Sequence, residues 1–202
     1  APVRGRRIAL YPGAFRPAHK VHLAAILGLA ARPDIDEVVV IVANRCRTLP
    51  GTTQALDAEV AHAVLSICLR GVAKVRIELA AHNAVTHALG FLNCAAAGDT
   101  LLYCVGEADF DSGDDRFEDV LSTQTRTDVT AEVRALRECQ EATERAVARA
   151  FARLKKARIR GNRIVEAGRA LTAEDIKRTI DVALMEDSCI AKNTIVACGD
   201  QA

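Results

Sequence analysis

The sequence predicts an α/β protein built on a doubly wound, parallel five-stranded sheet. Strand-like and helix-like segments alternate four times between residues 7 and 105, and this alternation is typical of parallel sheets. Residues 37–43 form a continuous apolar run rich in β-branched side chains, as expected for a strand buried on both faces. The links between segments are short, which favours right-handed crossovers.

The elements follow one another from the N-terminus. A strand that includes Ile8 breaks at Pro12 and Gly13, and a helix begins at or just after His19. Further strands are predicted at 37–43, 73–79 and 100–105, with helices at 22–31, 57–70 and 83–96. Ligands of such sheets bind beyond the carboxyl ends of the strands. We therefore expect the loops 12–18, 44–53 and 106–116 to share one crevice.

Residues 127–157 predict a single helix of about thirty residues, about 45 Å long at the usual rise. One apolar stripe supports it: Val129, Val133, Leu136, Thr143, Val147, Phe151 and Leu154. We expect an inserted helix or arm that packs on the sheet or on another chain, so a homo-oligomer or a protein partner is one expectation. The fifth strand is then expected at 158–166.

Composition narrows the class of protein. The 202 residues predict a single domain, 1–202, with a substantial core. A net charge of +1 does not favour nucleic-acid binding, and no apolar run has membrane-spanning length. Seven cysteines without a C-x-x-C pair indicate reduced thiols. We expect a cytoplasmic protein that does not bind membranes.

Charge is unevenly distributed along the chain. Residues 99–144 carry thirteen acidic and four basic side chains, whereas 145–178 carry eleven basic and three acidic. Favourable interaction with the dipole of the long helix explains this order. The other interpretation is a polyanion site formed by Arg149, Arg153, Lys155, Lys156, Arg158 and Arg160. Only one aromatic residue, Phe151, lies among these bases, so a platform that stacks single-stranded nucleic acid is not favoured.

The stretch from Ile8 to His22 carries the strongest chemical signal. A strand that ends in a Gly-containing turn and leads into a helix forms a phosphate site, because free amide N–H groups and the positive end of the helix dipole converge there. His19 and His22 are three residues apart and lie on one face of the first helical turn. Their imidazoles could donate hydrogen bonds to phosphate oxygens.

This stretch resembles the first motif, G-x-F-x-P-x-H-x-G-H, of the HxGH nucleotidyltransferase superfamily. The matching residues are Gly13, Phe15, Pro17, His19 and His22, whereas Val21 replaces the motif's second Gly. The superfamily contains phosphopantetheine and nicotinamide-mononucleotide adenylyltransferases and has a Rossmann-like fold. The resemblance implies that Gly13, Phe15 and Pro17 contact the nucleotide.

The superfamily's second motif reads I-S-S-T-x-x-R and follows the fifth strand at a helix start. Residues 121–126 keep Ser, Thr and Arg in the right spacing. Residues 171–177 keep the residue types more loosely, with Thr172 as a nucleotide-binding residue, Glu174 for the second Thr and Lys177 for Arg. We favour 171–177, because 158–166 can supply the preceding strand and Thr172 can cap the helix that follows.

The resemblance implies transfer of a nucleotidyl group, most commonly adenylyl, from a nucleoside triphosphate to a phosphate-bearing small molecule. Pyrophosphate leaves, and Mg²⁺ accompanies the triphosphate. His19 and His22 would bind the phosphates, and Lys177 the leaving pyrophosphate. Arg45 or Arg47 would bind the acceptor, although solvated loop arginines are an equal interpretation.

Three departures from the motifs support a rival hypothesis. Val21 places an isopropyl group where the nucleotide should approach, Glu174 adds a negative charge, and Lys177 lacks the bidentate fork of arginine. The chain is then a catalytically degenerate nucleotidyltransferase that serves as a binding, scaffold or assembly module. A class I aminoacyl-tRNA synthetase, which shares the motif, would be longer.

The acidic loop 106–116 contains five carboxylates. Oxygen ligands of this kind could hold a divalent cation, but the spacing does not fit the calcium loop. An exposed acidic turn is the favoured interpretation, and we predict no resident metal site.

Overall fold

The structure, a computed structural model, describes residues 4–16, 18–44, 47–48, 55–113, 117–136, 144–159, 164–166 and 169–171. The strands are β1 (Arg7–Gly13), β2 (Glu37–Val42), β3 (Arg47–Thr48), β4 (Ala55–Leu56), β5 (Val75–Leu79), β6 (Thr100–Val105), β7 (Thr130–Ala135), β8 (Ile164–Glu166) and β9 (Arg169–Leu171). The helices are α1 (Lys20–Ala31), α2 (Ala58–Cys68), α3 (Ala84–Cys94), α4 (Glu107–Asp111), α5 (Glu118–Ser122) and α6 (Glu144–Ile159).

Five strands form one parallel sheet in the order β5-β2-β1-β6-β7. The predicted doubly wound α/β fold with a five-stranded parallel sheet is therefore confirmed. Two short antiparallel pairs, β3 with β4 and β8 with β9, lie outside this sheet.

The central strands are apolar on both faces because helices cover both sides of the sheet. In β1, Ala9 and Tyr11 face a core formed with α1, α2 and α6. The alternate residues Ile8 and Leu10 face a second core, which includes α3 and Phe117. Burying a side chain such as Ile8 or Leu10 stabilises the fold by about 1.5–3 kcal/mol. The two cores therefore stabilise the sheet from both faces.

The two cores locate the point where the winding of the sheet reverses. The connection from β1 to β2 passes through α1 on one face, and that from β5 to β6 passes through α3 on the other. Strands β1 and β6 are neighbours, so their carboxyl ends flank the crevice where doubly wound sheets bind ligands. The ends of β1, β2 and β6 meet at this edge, as the sequence predicted.

Each edge strand has one polar face. In β5, Arg76 and Glu78 form an ion pair on the α3 side, while the alternate residues of the strand pack against the α2 core. In β7, Arg134 pairs with Glu132 at 2.6 Å, while Val133 packs on the α3 side. This alternation is expected of strands that are covered on one face only.

The prediction of one helix over 127–157 is wrong. Residues 130–135 form β7, which pairs in register with residues 100–105 of β6, and the helical part of this region is α6. The fifth strand is therefore β7 and not the predicted 158–166. Residues 164–166 form β8, which pairs antiparallel with β9. Pairing with a buried strand outweighs the weak helical preference of this short segment.

Helix α6 packs on the chain's own sheet domain, one of the two outcomes expected for the apolar stripe. Val147, Ala150 and Leu154 are buried in the core shared with α1 and α2. The Arg153 guanidinium donates to the carbonyl of Cys68, the last residue of α2, at 2.8 Å. This bond satisfies a carbonyl that the end of α2 would leave without a partner. Arg153 is thereby a helix cap, which weakens the polyanion interpretation of this segment.

The helices in the described part of the chain are all too short or too polar to cross a bilayer.

We predict that Leu154→Ala lowers the free energy of unfolding by about 2–4 kcal/mol, because it leaves a cavity beneath α6. Arg149→Ala, on the exposed side of the same helix, is the control and should change it by less than about 0.5 kcal/mol. Urea unfolding of both variants gives the comparison. Equal effects would mean that α6 is not packed on the sheet.

Candidate functional site

The turn after β1 is fixed by close packing of an aromatic ring on a glycine. Phe15 has a left-handed backbone, with φ of 50°, and its side chain is 2% exposed. A Cβ atom on Gly13 would lie 2.9 Å from Cζ of the Phe15 ring, so a larger residue would have to displace the ring. The ring also makes edge contacts with Tyr11 and His22, at centroid distances of 5.2 and 5.1 Å. The motif residues Gly13 and Phe15 therefore shape the turn.

His19 and His22 come together at the start of α1. His19 is the N-cap residue and is 8% exposed, and His22 is half-buried in the first turn. Their rings stack at a centroid distance of 3.6 Å, with 23° between their planes. The structure thus places the two predicted histidines side by side at the carboxyl edge of the sheet.

A backbone hydrogen bond sets the tautomer of His22. The His19 N–H donates to Nδ1 of His22 at 3.4 Å, so Nδ1 must be an acceptor without a proton. Burial, and then the charge of His19, lower the pKa of His22 well below its ordinary value of 6.5. The ring is therefore neutral at pH 7, and its proton lies on Nε2, which can donate a hydrogen bond.

The start of α1 is suited to an anion. Helices α2 and α6 carry Glu59 and Glu144 in their first turns, and α3 is capped by the side-chain oxygen of Asn83. Helix α1 has no acidic residue in its first turn, and its cap is His19. The positive end of its dipole is thus left without a negative side chain in that turn, which favours a phosphate group there.

Arg16 is a site residue that the sequence reasoning missed. It is 4% exposed, and its guanidinium donates to the carbonyls of Ala14 at 3.2 Å and of Ala43 at 3.1 Å. Ala43 follows β2, so this side chain joins the turn after β1 to the loop after β2. The sequence signal that could have identified it is the presence of one charged residue in the otherwise apolar turn of residues 13–17.

The structure describes little of the remaining predicted site residues. Arg47 belongs to the short strand β3. Four others lie outside the described residues: Pro17, Arg45, Thr172 and Lys177. Roles for these five residues stay predictions.

Neither segment proposed for the second motif has the predicted context. Residues 121–126 precede β7, and Arg126 donates to the carbonyls of Leu92 and Ala95 at the amino edge of the sheet, far from the α1 start. Residues 172–177 lie outside the described residues, and the strand expected directly before this segment is not the fifth strand of the sheet, which is β7. A motif between the fifth strand and the next helix would fall between Leu136 and Glu144, where α6 begins.

The β6 side of the crevice is acidic. The Asp109 carboxylate lies over Gly106, 3.6 Å from where a Cβ would be. Burial raises the pKa of the Tyr11 phenol, and the charges of Cys104 and then Asp109 raise it further. Asp109, Phe110 and Asp111 are exposed, as predicted, but they lie in the short helix α4 and not in a turn. Within the described ranges, no three His, Cys, Asp or Glu side chains are grouped to hold a metal ion.

Val21 is 40% exposed in the first turn of α1. It stands beside His22, on the helix end that would receive a phosphate. The isopropyl group therefore reaches solvent at the candidate site.

A cavity of about 550 Å³ lies elsewhere, between α3, β5 and the amino ends of β1, β2 and β6. Its charged side chains pair with one another, as in Arg76 with Glu37 at 2.7 Å and His87 with Glu78 at 2.7 Å. The turn after β1 does not line this cavity.

Comparison with known proteins finds a likeness among solved structures only. No protein-family model and no curated protein matches the sequence. Among solved structures, the chain is similar to nicotinic acid mononucleotide adenylyltransferase of Plasmodium falciparum, complexed with APC in one structure and with NaAD in another. Each has 13% identity and a TM-score of 0.43, and the match covers 90% of this chain and 96% of that chain. At this level the likeness carries no argument, and the functional case depends on the site itself.

Proposed function

We propose that this chain is a nucleotidyltransferase that transfers an adenylyl group from ATP to a phosphate-bearing small molecule, with release of pyrophosphate. One observation carries the proposal: two stacked histidines cap a helix whose positive end faces the crevice at the carboxyl edge of the sheet. The motif residues around them agree with the same chemistry.

In the proposed reaction, an oxygen of the acceptor phosphate attacks the α-phosphorus of ATP. A new P–O bond forms while the bond to the β-phosphate oxygen breaks, and pyrophosphate carries away that electron pair. The acceptor phosphate is already ionised at pH 7, so no general base is needed. The protein's contribution is then positioning and stabilisation of charge.

Neutral His22 fits the second of these tasks. Its Nε2–H can donate to an oxygen of the pentacovalent phosphate, where negative charge builds up. The positive end of the α1 dipole would face the same phosphate. His19, stacked on His22, would bind an adjacent phosphate oxygen.

The other assignments are proposals of the same kind. Mg²⁺ enters with ATP and is held chiefly by phosphate oxygens, as is usual for this ion. Arg45 or Arg47 would bind the acceptor phosphate, and Lys177 the leaving pyrophosphate, with Pro17 and Thr172 near the nucleotide.

Val21 supports a second candidate function. Its exposed isopropyl group stands at the helix end where a phosphate and sugar must approach. If it closes the site, the chain is a former nucleotidyltransferase used as a binding, scaffold or assembly module.

We predict that His22→Asn lowers kcat by about 10²-fold and leaves the Kd for ATP within about threefold. The Asn side chain can still accept the bond from the His19 N–H, but the donor at Nε2 is lost. Pyrophosphate release from MgATP, with phosphopantetheine or nicotinamide mononucleotide as acceptor, gives kcat, and calorimetry gives Kd. His82→Asn, in an exposed turn, is the control. Unchanged turnover in His22→Asn would contradict the role of this donor.

Val21→Gly separates the two candidate functions. If the isopropyl group blocks the site, calorimetry should detect no ATP binding by the wild type and measurable binding by the variant, since glycine lets the nucleotide approach the helix backbone. Tight binding of MgATP by the wild type would end the closed-site hypothesis.

The depressed pKa of His22 predicts acid sensitivity. The unfolded chain binds a proton at this residue near pH 6.5, whereas the folded chain does so only at lower pH. The contribution of His22 to the free energy of unfolding is therefore fully present above pH 6.5. It is lost as the pH falls from 6.5 to the lower pKa of the folded chain, by about 1.4 kcal/mol for each pH unit between the two pKa values. Urea unfolding from pH 8 to 5 should show a smaller loss for His22→Asn than for the wild type. Parallel curves would mean that the pKa of His22 is not depressed.

A further inference from the structure

A series of hydrogen bonds runs along the carboxyl edge of the sheet, and Arg16 supplies its first side chain. Arg16 joins the turn after β1 to Ala43. The next residue, Asn44, donates from its side chain to the carbonyl of Ala81, beyond the end of β5, at 3.2 Å. The loops after three neighbouring strands are thus tied together by two side chains.

The backbone of Ala43 makes hydrogen bonds through both its N–H and its carbonyl to the turn after β1. Its N–H donates to the carbonyl of Gly13 at 2.8 Å, and its own carbonyl accepts from Arg16 at 3.1 Å. The backbone of Ala43 is therefore held from both sides by the turn that leads to His19. Ala43 and Asn44 begin the loop after β2, so these bonds set the point from which that loop starts.

Arg16 also stabilises the turn itself. Its Nε–H donates to the carbonyl of Ala14, which closes a ring around Phe15 between them. A left-handed backbone is unfavourable for a bulky aromatic residue and persists only where its surroundings determine it. The buried guanidinium holds the two neighbours of Phe15 at a fixed separation.

We propose that Arg16 is a positioning residue of the nucleotidyl transfer, and this inference rests on the proposed function. Arg16 fixes the distance between the start of α1, which receives the triphosphate, and the loop after β2, which receives the acceptor. It acts through His19 and His22 on one side and through Ala43 on the other. In-line attack is sensitive to this distance, since a misplacement of about 1 Å can lower the rate by about 10²-fold.

The chain offers a matched control in Arg126. Its guanidinium also binds two backbone carbonyls, those of Leu92 and Ala95, at 2.7 and 2.8 Å, but at the amino edge of the sheet. Arg126→Met and Arg16→Met each remove bonds to two backbone carbonyls, from opposite edges, and Arg126→Met also removes the ion pair with Asp128. Melting temperatures of the two variants measure the structural effect of each loss.

The test is steady-state pyrophosphate release from MgATP, with phosphopantetheine or nicotinamide mononucleotide as acceptor. We expect Arg16→Met to lower kcat by about 10- to 10²-fold with KM for ATP within about threefold, and Arg126→Met to keep kcat within about threefold at a similar melting temperature. Hydrogen exchange should rise in peptides covering 13–22 and 42–44 of Arg16→Met only.

Each result has a defined meaning. A wild type that neither binds MgATP nor releases pyrophosphate overturns the proposed function, and the inference with it. An active wild type with equal kcat in Arg16→Met and Arg126→Met overturns the inference alone. If Arg16→Met does not fold, Arg16→Lys takes its place, because a single ammonium group cannot reproduce both bonds of the planar guanidinium. Full activity of Arg16→Lys would show that the two bonds to the carbonyls of Ala14 and Ala43 are not required, and it would overturn the inference.

Discussion

The packing of the Phe15 ring on the backbone of Gly13 determines where the candidate site can form. The chain must leave the end of β1 and enter α1 within six residues, and it must do so beside a buried strand. The ring fills the space above Gly13 and contacts His22, so the helix cannot start in another orientation without losing this contact. The left-handed backbone of Phe15 costs on the order of 1–3 kcal/mol, and the aromatic contacts and the Arg16 clamp offset that cost.

The two edges of the sheet differ in their electrostatic character. At the amino edge, Asp36 and Asp99 accept hydrogen bonds from the backbone N–H groups of Arg7 and Arg6, both at 2.8 Å. At the carboxyl edge, the turn after β1 holds a buried guanidinium and the start of α1. Negative side chains thus satisfy backbone donors at the amino edge, whereas the first turn of α1 at the carboxyl edge contains no acidic side chain.

The sequence was sufficient for the central strands and for the strand-turn-helix unit of β1 and α1, because their signals are local. Long β-branched runs can hardly be anything but buried strands, and the spacing of Gly13, Phe15, His19 and His22 fixes their place in a strand-turn-helix unit.

Strand β7 has no such signal. Its apolar residues fit a helical period of four, from Val129 to Val133, as well as a strand period of two. Only pairing with β6 decides between them, and pairing is not local. The same error moved the expected second motif to 171–177. Arg16 was missed because its two acceptors, the carbonyls of Ala14 and Ala43, are brought together only by the folded turn.

The ion pairs on the edge strands bear on how copies of this protein meet. A strand at the border of a sheet is a template for strands of other molecules, and many proteins protect such borders with charge. Here Arg76 with Glu78 guards one border, and Glu132 with Arg134 guards the other. A second copy that added itself to either border would have to dehydrate charged groups whose mutual attraction is weak at the surface. The sheet is thereby disfavoured as a route to fibrils or continuous sheets, and any specific assembly of this chain is better served by its helices.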